Sequence, residues 1–147
     1  EVASSGPTFK NRMDAMINYW SVLVAAVASF VIGSVWYSPV MFAEPWMKSL
    51  NVTPESAKGM TMGKVLGLGF IATVVQAYIL AHFAVYVGAV SVMDGVVLGI
   101  WVWLGFIAMF TVTGVLYERK SMAWYWITNG YQLVSLVIMS IILAIWR

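Results

Sequence analysis

Few side chains in this sequence bring an amide or an imidazole into its long apolar runs: Gln76, Asn129, Gln132 and His82. A buried polar group in a bilayer is costly, so each is a candidate functional position. Gln76 stands twelve residues after Lys64, and Gln132 stands twelve after Lys120. If both stretches are helices entering from one membrane face, the two amides sit at similar depth. Asn129 precedes Gln132 by three positions and shares its helix face. Such a layer could line a path for water or a small solute. It could equally form an interhelical clasp, worth about 1 kcal/mol per hydrogen bond. Amides do not change charge, which suits a clasp better than a proton relay.

His82 is the single histidine, flanked at four-residue spacing by Tyr78 and Tyr86. Across a short hairpin, Asp94 falls within about a turn of it. A histidine–carboxylate pair there could respond to protons near neutral pH; the plainer reading has Asp94 capping its own helix. One histidine and no cysteine supply too few ligands for a zinc site. Met41, Met47, Met60 and Met62 could suit a soft ion such as Cu(I), but methionine more often fills packing gaps. The sequence carries no intramembrane carboxylate pair, no glycine-rich phosphate loop and no nucleophile with a base nearby in sequence. No cofactor, no metal and no enzymatic activity are expected.

The elements that hold these residues follow from composition. Of 147 residues, 62% are hydrophobic and 10% charged, with a mean hydropathy of +0.88. A soluble domain has about 25% charged residues, so this surface is built for another solvent. Four stretches lack Asp, Glu, Lys and Arg: Asp14 to Glu44, Lys64 to Asp94, Asp94 to Glu118, and Lys120 to Arg147. Each has room for the roughly 20 apolar residues that cross a hydrocarbon core as a helix. They are continuous rather than alternating, which excludes barrel strands. The reading is an all-α membrane protein, a four-helix up-down bundle with spans at about 17–37, 65–87, 94–117 and 122–146. The polar segment 1–16 is expected to be flexible, with Met13 or Met16 as a possible natural start. The net charge of +2 is too small and dispersed to call for nucleic acid.

Between the first two spans, Phe42, Trp46 and Leu50 recur every four residues and predict a short helix lying in the interface. Thr53-Pro54-Glu55 has the composition of a helix start. Ser91 and Asp94 have capping-box spacing at the head of the third span. Small residues form stripes at Ala25, Ser29 and Gly33, at Gly63, Gly67 and Gly69, and at Gly95 and Gly99, each predicting close helix approach. Leu68-Gly69-Phe70-Ile71-Ala72 recurs as Leu104-Gly105-Phe106-Ile107-Ala108, a match that chance explains in a chain rich in these residues. Loops one and three carry Lys48, Lys58, Lys64, Arg119 and Lys120, against Lys10, Arg12 and Arg147 opposite. The positive-inside rule then puts both termini outside and the long first loop in the cytoplasm.

Asn18-Tyr19-Trp20, Ile32-Gly33-Ser34-Val35-Trp36-Tyr37-Ser38-Pro39 and the stretch from Phe42 to Trp46 resemble a family of small bacterial membrane proteins, the domain-of-unknown-function family 1761. So do Trp103-Leu104-Gly105-Phe106, Tyr117-Glu118-Arg119 and Asn129-Gly130-Tyr131-Gln132-Leu133-Val134. The resemblance runs from about Asn18 to Arg147. It implies a four-helix protein of the bacterial cytoplasmic membrane and assigns no substrate, reaction or catalytic residue. The polar start before Met13 is longer than the resemblance implies.

Four short-looped helices enclose little volume, and their small-residue stripes outnumber the contacts one bundle needs. The function expected is therefore a structural or accessory subunit, partnered by the lipid bilayer and by copies of itself or a larger membrane complex. A small transporter or channel is the alternative. It would lack the ionisable mid-membrane group on which proton-coupled export depends.

Overall fold

Three of the four spans start where a polar side chain accepts from backbone N–H groups that have no intrahelical acceptor. A computed structural model describes residues 17–56 and 61–147. The expectation for segment 1–16 and the places of Lys58 and Met60 lie outside the described residues. The Asn18 side-chain oxygen accepts from the backbone N–H of Trp20 at 3.0 Å and opens α1 (Tyr19–Trp36). The interfacial helix α2 (Ala43–Ser49) carries Glu44 in its first turn and Lys48 in its last, paired at 3.2 Å. Thr53 closes a turn on Ser56; the helix expected beyond it falls in 57–60, outside the described residues.

The second span is α3 (Met62–Val87), ended by Gly88 in a left-handed conformation at φ +70°. That geometry is unstrained only for glycine, and it turns the chain within four residues into α4 (Val92–Val102). Here the capping box forms as its spacing predicts. Ser91 Oγ accepts from the Asp94 N–H at 3.1 Å, and Asp94 Oδ2 accepts from the N–H groups of Ser91 and Val90, both at 3.0 Å. The third span continues through a π-helical segment (Trp103–Ala108) into α5 (Met109–Tyr117). Ser121 caps α6 (Met122–Ile145), the fourth span. These four spans are long and apolar enough to cross a membrane, and among the described residues there is no strand. The protein is an all-α, multi-pass membrane protein.

The four helices are not equivalent. α6 packs against α1, α3 and α4, and 44% of its most apolar stretch is buried, against 22–28% for the other spans. It is the hub. Two packing devices seat its neighbours. Gly95 and Gly99 let α4 lie directly on the α6 backbone, where an added β-carbon would meet Ile141 Cα at 2.6 Å and Val137 Cα at 2.7 Å. On the α1 side, Ala25, Ala26 and Ser29 are buried, and Gly33 leaves room for the Tyr131 ring. The second half of α3 joins this core through Ala77, Leu80, Ala81 and Ala84.

The first half of α3 does not. Residues 61–69 are all exposed, and a β-carbon added at Gly63, Gly67 or Gly69 would touch nothing within 4 Å. The stripe predicts close helix approach, and among the described residues nothing packs against these glycines. The small residues of α4 and of α3 thus serve different ends, although their spacing is alike.

Candidate functional site: a crevice under the interfacial helix

Because the first half of α3 stands away from the hub, a cavity of about 550 Å³ opens between α1, α3 and α6 at the end where loops one and three lie. That size lies within the range of small-molecule sites. Phe30, Ser34 and Tyr37 of α1 and its cap form one wall, and Met62, Leu66, Gly69 and Thr73 of α3 the other. Trp46 of α2 lies at the lip and Tyr131 of α6 at the back. Tyr37 to Phe30 is seven residues, so the crevice runs about 10 Å down the helix axis.

Three aromatic rings hold this end in shape. Tyr37 stands edge-on to Trp46 and to Tyr131, with ring centroids 5.4 Å apart in each pair. Such edge-to-face contacts contribute about 0.5–1.5 kcal/mol beyond area burial. Trp36 anchors the same corner by donating from Nε1 to the Ile127 carbonyl at 3.0 Å. Behind the crevice, Tyr131 Oη lies 3.4 Å from Ser29 Oγ, which bonds Ser135 Oγ at 2.5 Å. Burial pushes the Tyr37 phenol above its ordinary pKa, an effect partly offset by the Thr128 hydroxyl beside it. Tyr37 is therefore a neutral hydroxyl across the physiological range.

A second polar cluster lies where the third span is π-helical. A π turn interrupts the regular i→i−4 ladder and leaves carbonyls needing other donors. α6 supplies one: Tyr125 Oη donates to the Ala108 carbonyl at 3.2 Å. Asn129, 1% exposed, donates from Nδ2 to Thr111 Oγ1 at 2.8 Å and to the Tyr125 carbonyl at 3.0 Å. Trp103 Nε1 donates to the Asn129 carbonyl at 3.0 Å. Asn129 thus links α6 to the third span.

The model of a family described as "Protein of unknown function (DUF1761)" matches residues 20–144. The chain belongs to this family. No curated protein and no solved structure matches it. In this DUF1761 chain four of the six segments that carry the resemblance fall on the two clusters just described. Trp36-Tyr37 and Trp46 frame the crevice, Trp103-Leu104-Gly105-Phe106 opens the π turn, and Asn129-Gly130-Tyr131 lies between them.

Gln132 and Gln76 make no hydrogen bond to each other among the described residues; Gln132 Oε1 is buried without a partner. Gln76 is half-buried and lines a shallow groove with Phe83, Val102 and Leu136. His82 Nδ1 bonds the Tyr78 carbonyl at 2.9 Å, and its ring stands edge-on to Tyr78, which stacks on Tyr19. Asp94 is engaged with the first turn of its own helix, and no bond joins it to His82. Among the described residues no group of three His, Cys, Asp or Glu could hold a metal ion.

The crevice and the hydroxyl pair Ser29–Ser135 escaped the sequence reading. Their one signal was the overlap of a small-residue stripe on the first span with Tyr131 and Ser135 on the fourth. That overlap becomes visible only once the two helices are known to be partners.

Proposed function

We propose that this DUF1761 protein is a non-enzymatic subunit of the bacterial cytoplasmic membrane that assembles with further copies of itself through the first half of α3. One observation carries the reading. Gly95 and Gly99 are filled by a neighbouring backbone, whereas Gly63 and Gly67 face nothing among the described residues. A glycine inside a helix costs about 1 kcal/mol relative to alanine, and contact with lipid does not offset that cost. Contact with a second helix does, because glycines four apart let two backbones pack closely where apolar side chains have no drive to associate. The distribution of lysine and arginine supports loops one and three on the cytoplasmic side.

Native mass spectrometry after gentle detergent extraction tests this. A discrete assembly larger than one chain is expected, falling to monomer in the double variant Gly63→Leu with Gly67→Leu. A monodisperse monomer of the unaltered protein overturns the reading. The partnerless amide oxygen of Gln132 favours a second one, a small transporter. It requires that Gln132→Leu abolish solute flux in loaded vesicles while the protein stays abundant.

A further inference from the structure

We propose that the crevice between α1, α2 and the first half of α3 binds an uncharged, flat, carbonyl-bearing ring on an apolar tail, a lipid-soluble molecule of the quinone class. The proposal is independent of self-assembly, because Gly63 and Gly67 do not line the crevice.

Among the described residues none of the lining carries a formal charge, so a phosphate or ammonium headgroup would be desolvated there without a counter-charge from them. The hydrogen-bonding side chains present are all neutral, four hydroxyls and one indole N–H. Ser34 and Thr73 spend their hydroxyl protons on the Phe30 and Gly69 carbonyls of their own helices, each at 2.9 Å. The Tyr131 hydroxyl is shared with Ser29 at 3.4 Å and that of Tyr37 lies beside Thr128, each able to turn its proton to a ligand acceptor, and the Trp46 indole N–H is a third donor. That N–H has no acceptor among the described residues. A ligand satisfying such a site brings acceptors and no charge, which describes ring carbonyls. The same three residues are the aromatic frame, suited to a flat ring by stacking or edge contact. Deeper down, Phe30, Val65 and Leu66 continue the groove as apolar wall. The crevice lies between spans, so a tail there meets the hydrocarbon from which such a molecule would enter.

Gly69 supplies the discriminating variant. A β-carbon there meets nothing within 4 Å, and the residue lines the crevice, so Gly69→Leu fills the space without a backbone clash. The probe is a geranyl-substituted naphthoquinone, titrated into the full chain in phosphatidylcholine nanodiscs and read by quenching of tryptophan fluorescence. Saturable quenching above that of protein-free discs is expected, at about one probe per chain. Gly69→Leu should weaken it at least about tenfold while keeping the helical circular dichroism and melting of the parent. Tyr131→Phe, which removes only a hydroxyl, should weaken it several-fold. Quenching that never saturates, or that Gly69→Leu leaves unchanged, overturns the proposal. So does displacement of the probe by dioleoylglycerol at equal concentration, which would make the site one for neutral glycerolipids. None of these outcomes depends on the oligomeric state, which is measured separately in the same discs.

Discussion

A β-carbon on Gly99 would lie 2.7 Å from the Cα of Val137. Backbone meets backbone there, so no flexible side chain can swing aside. Gly99→Ala should therefore separate α4 from α6 and cost about 1–3 kcal/mol, the usual range for overpacking. In a detergent that keeps the chain monomeric, Gly67→Ala is the control, since it adds the same methyl where nothing among the described residues stands within 4 Å. It should leave the folded chain as stable or slightly more so, by removing the glycine cost of about 1 kcal/mol. Thermal melting of both variants in one detergent checks the contrast. Equal melting temperatures would remove the special status of the α4–α6 contact.

The Thr111–Asn129 bond should behave as a coupled pair. Each residue gives the other its nearest interhelical partner, at 2.8 Å. Removing either leaves a polar group without that partner beside the π segment, at a cost of about 1 kcal/mol. Removing both by Thr111→Val with Asn129→Leu should cost less than the sum, because the second change deletes the orphan that the first created. Unfolding of the two single variants and the double variant measures the coupling. Strict additivity would mean that the two side chains do not interact in the folded protein.

Much of this architecture is legible in the sequence, for reasons that differ by element. The four spans are readable because hydrocarbon thickness sets a length that apolar runs either meet or miss. The capping box at Ser91 and Asp94 is readable because it is local. The hub role of α6 is not. In lipid both faces of a helix are apolar, so Leu136 and Met139, which are buried, look like Val134 and Ile138, which are exposed. The π segment carries no proline or charge to announce it. A short hairpin brings His82 and Asp94 near one end, but hairpin geometry says nothing of competing partners. Asp94 finds two N–H donors at its own helix start. The crevice depends on where α3 leaves the bundle, a tertiary fact with no local signature.

Tyr37 gives a pH dependence of definite sign. Its pKa is raised above the ordinary 10.0, chiefly by burial. Above pH 10 the unfolded chain loses this proton while the folded chain still holds it, so unfolding gains and stability falls as pH rises. The contribution is fully present below pH 10 and is lost from there up to the folded value. Melting followed from pH 9 to about 11 should decline more steeply for the parent than for Tyr37→Phe, which has no proton to lose. Parallel declines would show that the phenol titrates alike in both states.

Arg147 donates from Nη2 to the carbonyls of Ala84 and Ala89. These belong to the last turn of α3 and the loop that follows it, where the helix end leaves acceptors unpaired and carries negative partial charge. One guanidinium thus ties the far end of α6 to the turn between the second and third spans. Because Arg147 is exposed, the whole-fold effect of losing it should be small, below about 1 kcal/mol. The local effect should be larger. Arg147→Gln should speed hydrogen exchange at the Gly88 and Ala89 amides, which bond Val85 and Ala84 across the same turn. Arg147→Lys should restore part of the protection, since a point charge still favours the helix end but cannot reach two carbonyls from one planar group. Exchange that is unchanged in Arg147→Gln would show that the turn holds without the tie, through Gly88, its own backbone bonds and the capping box.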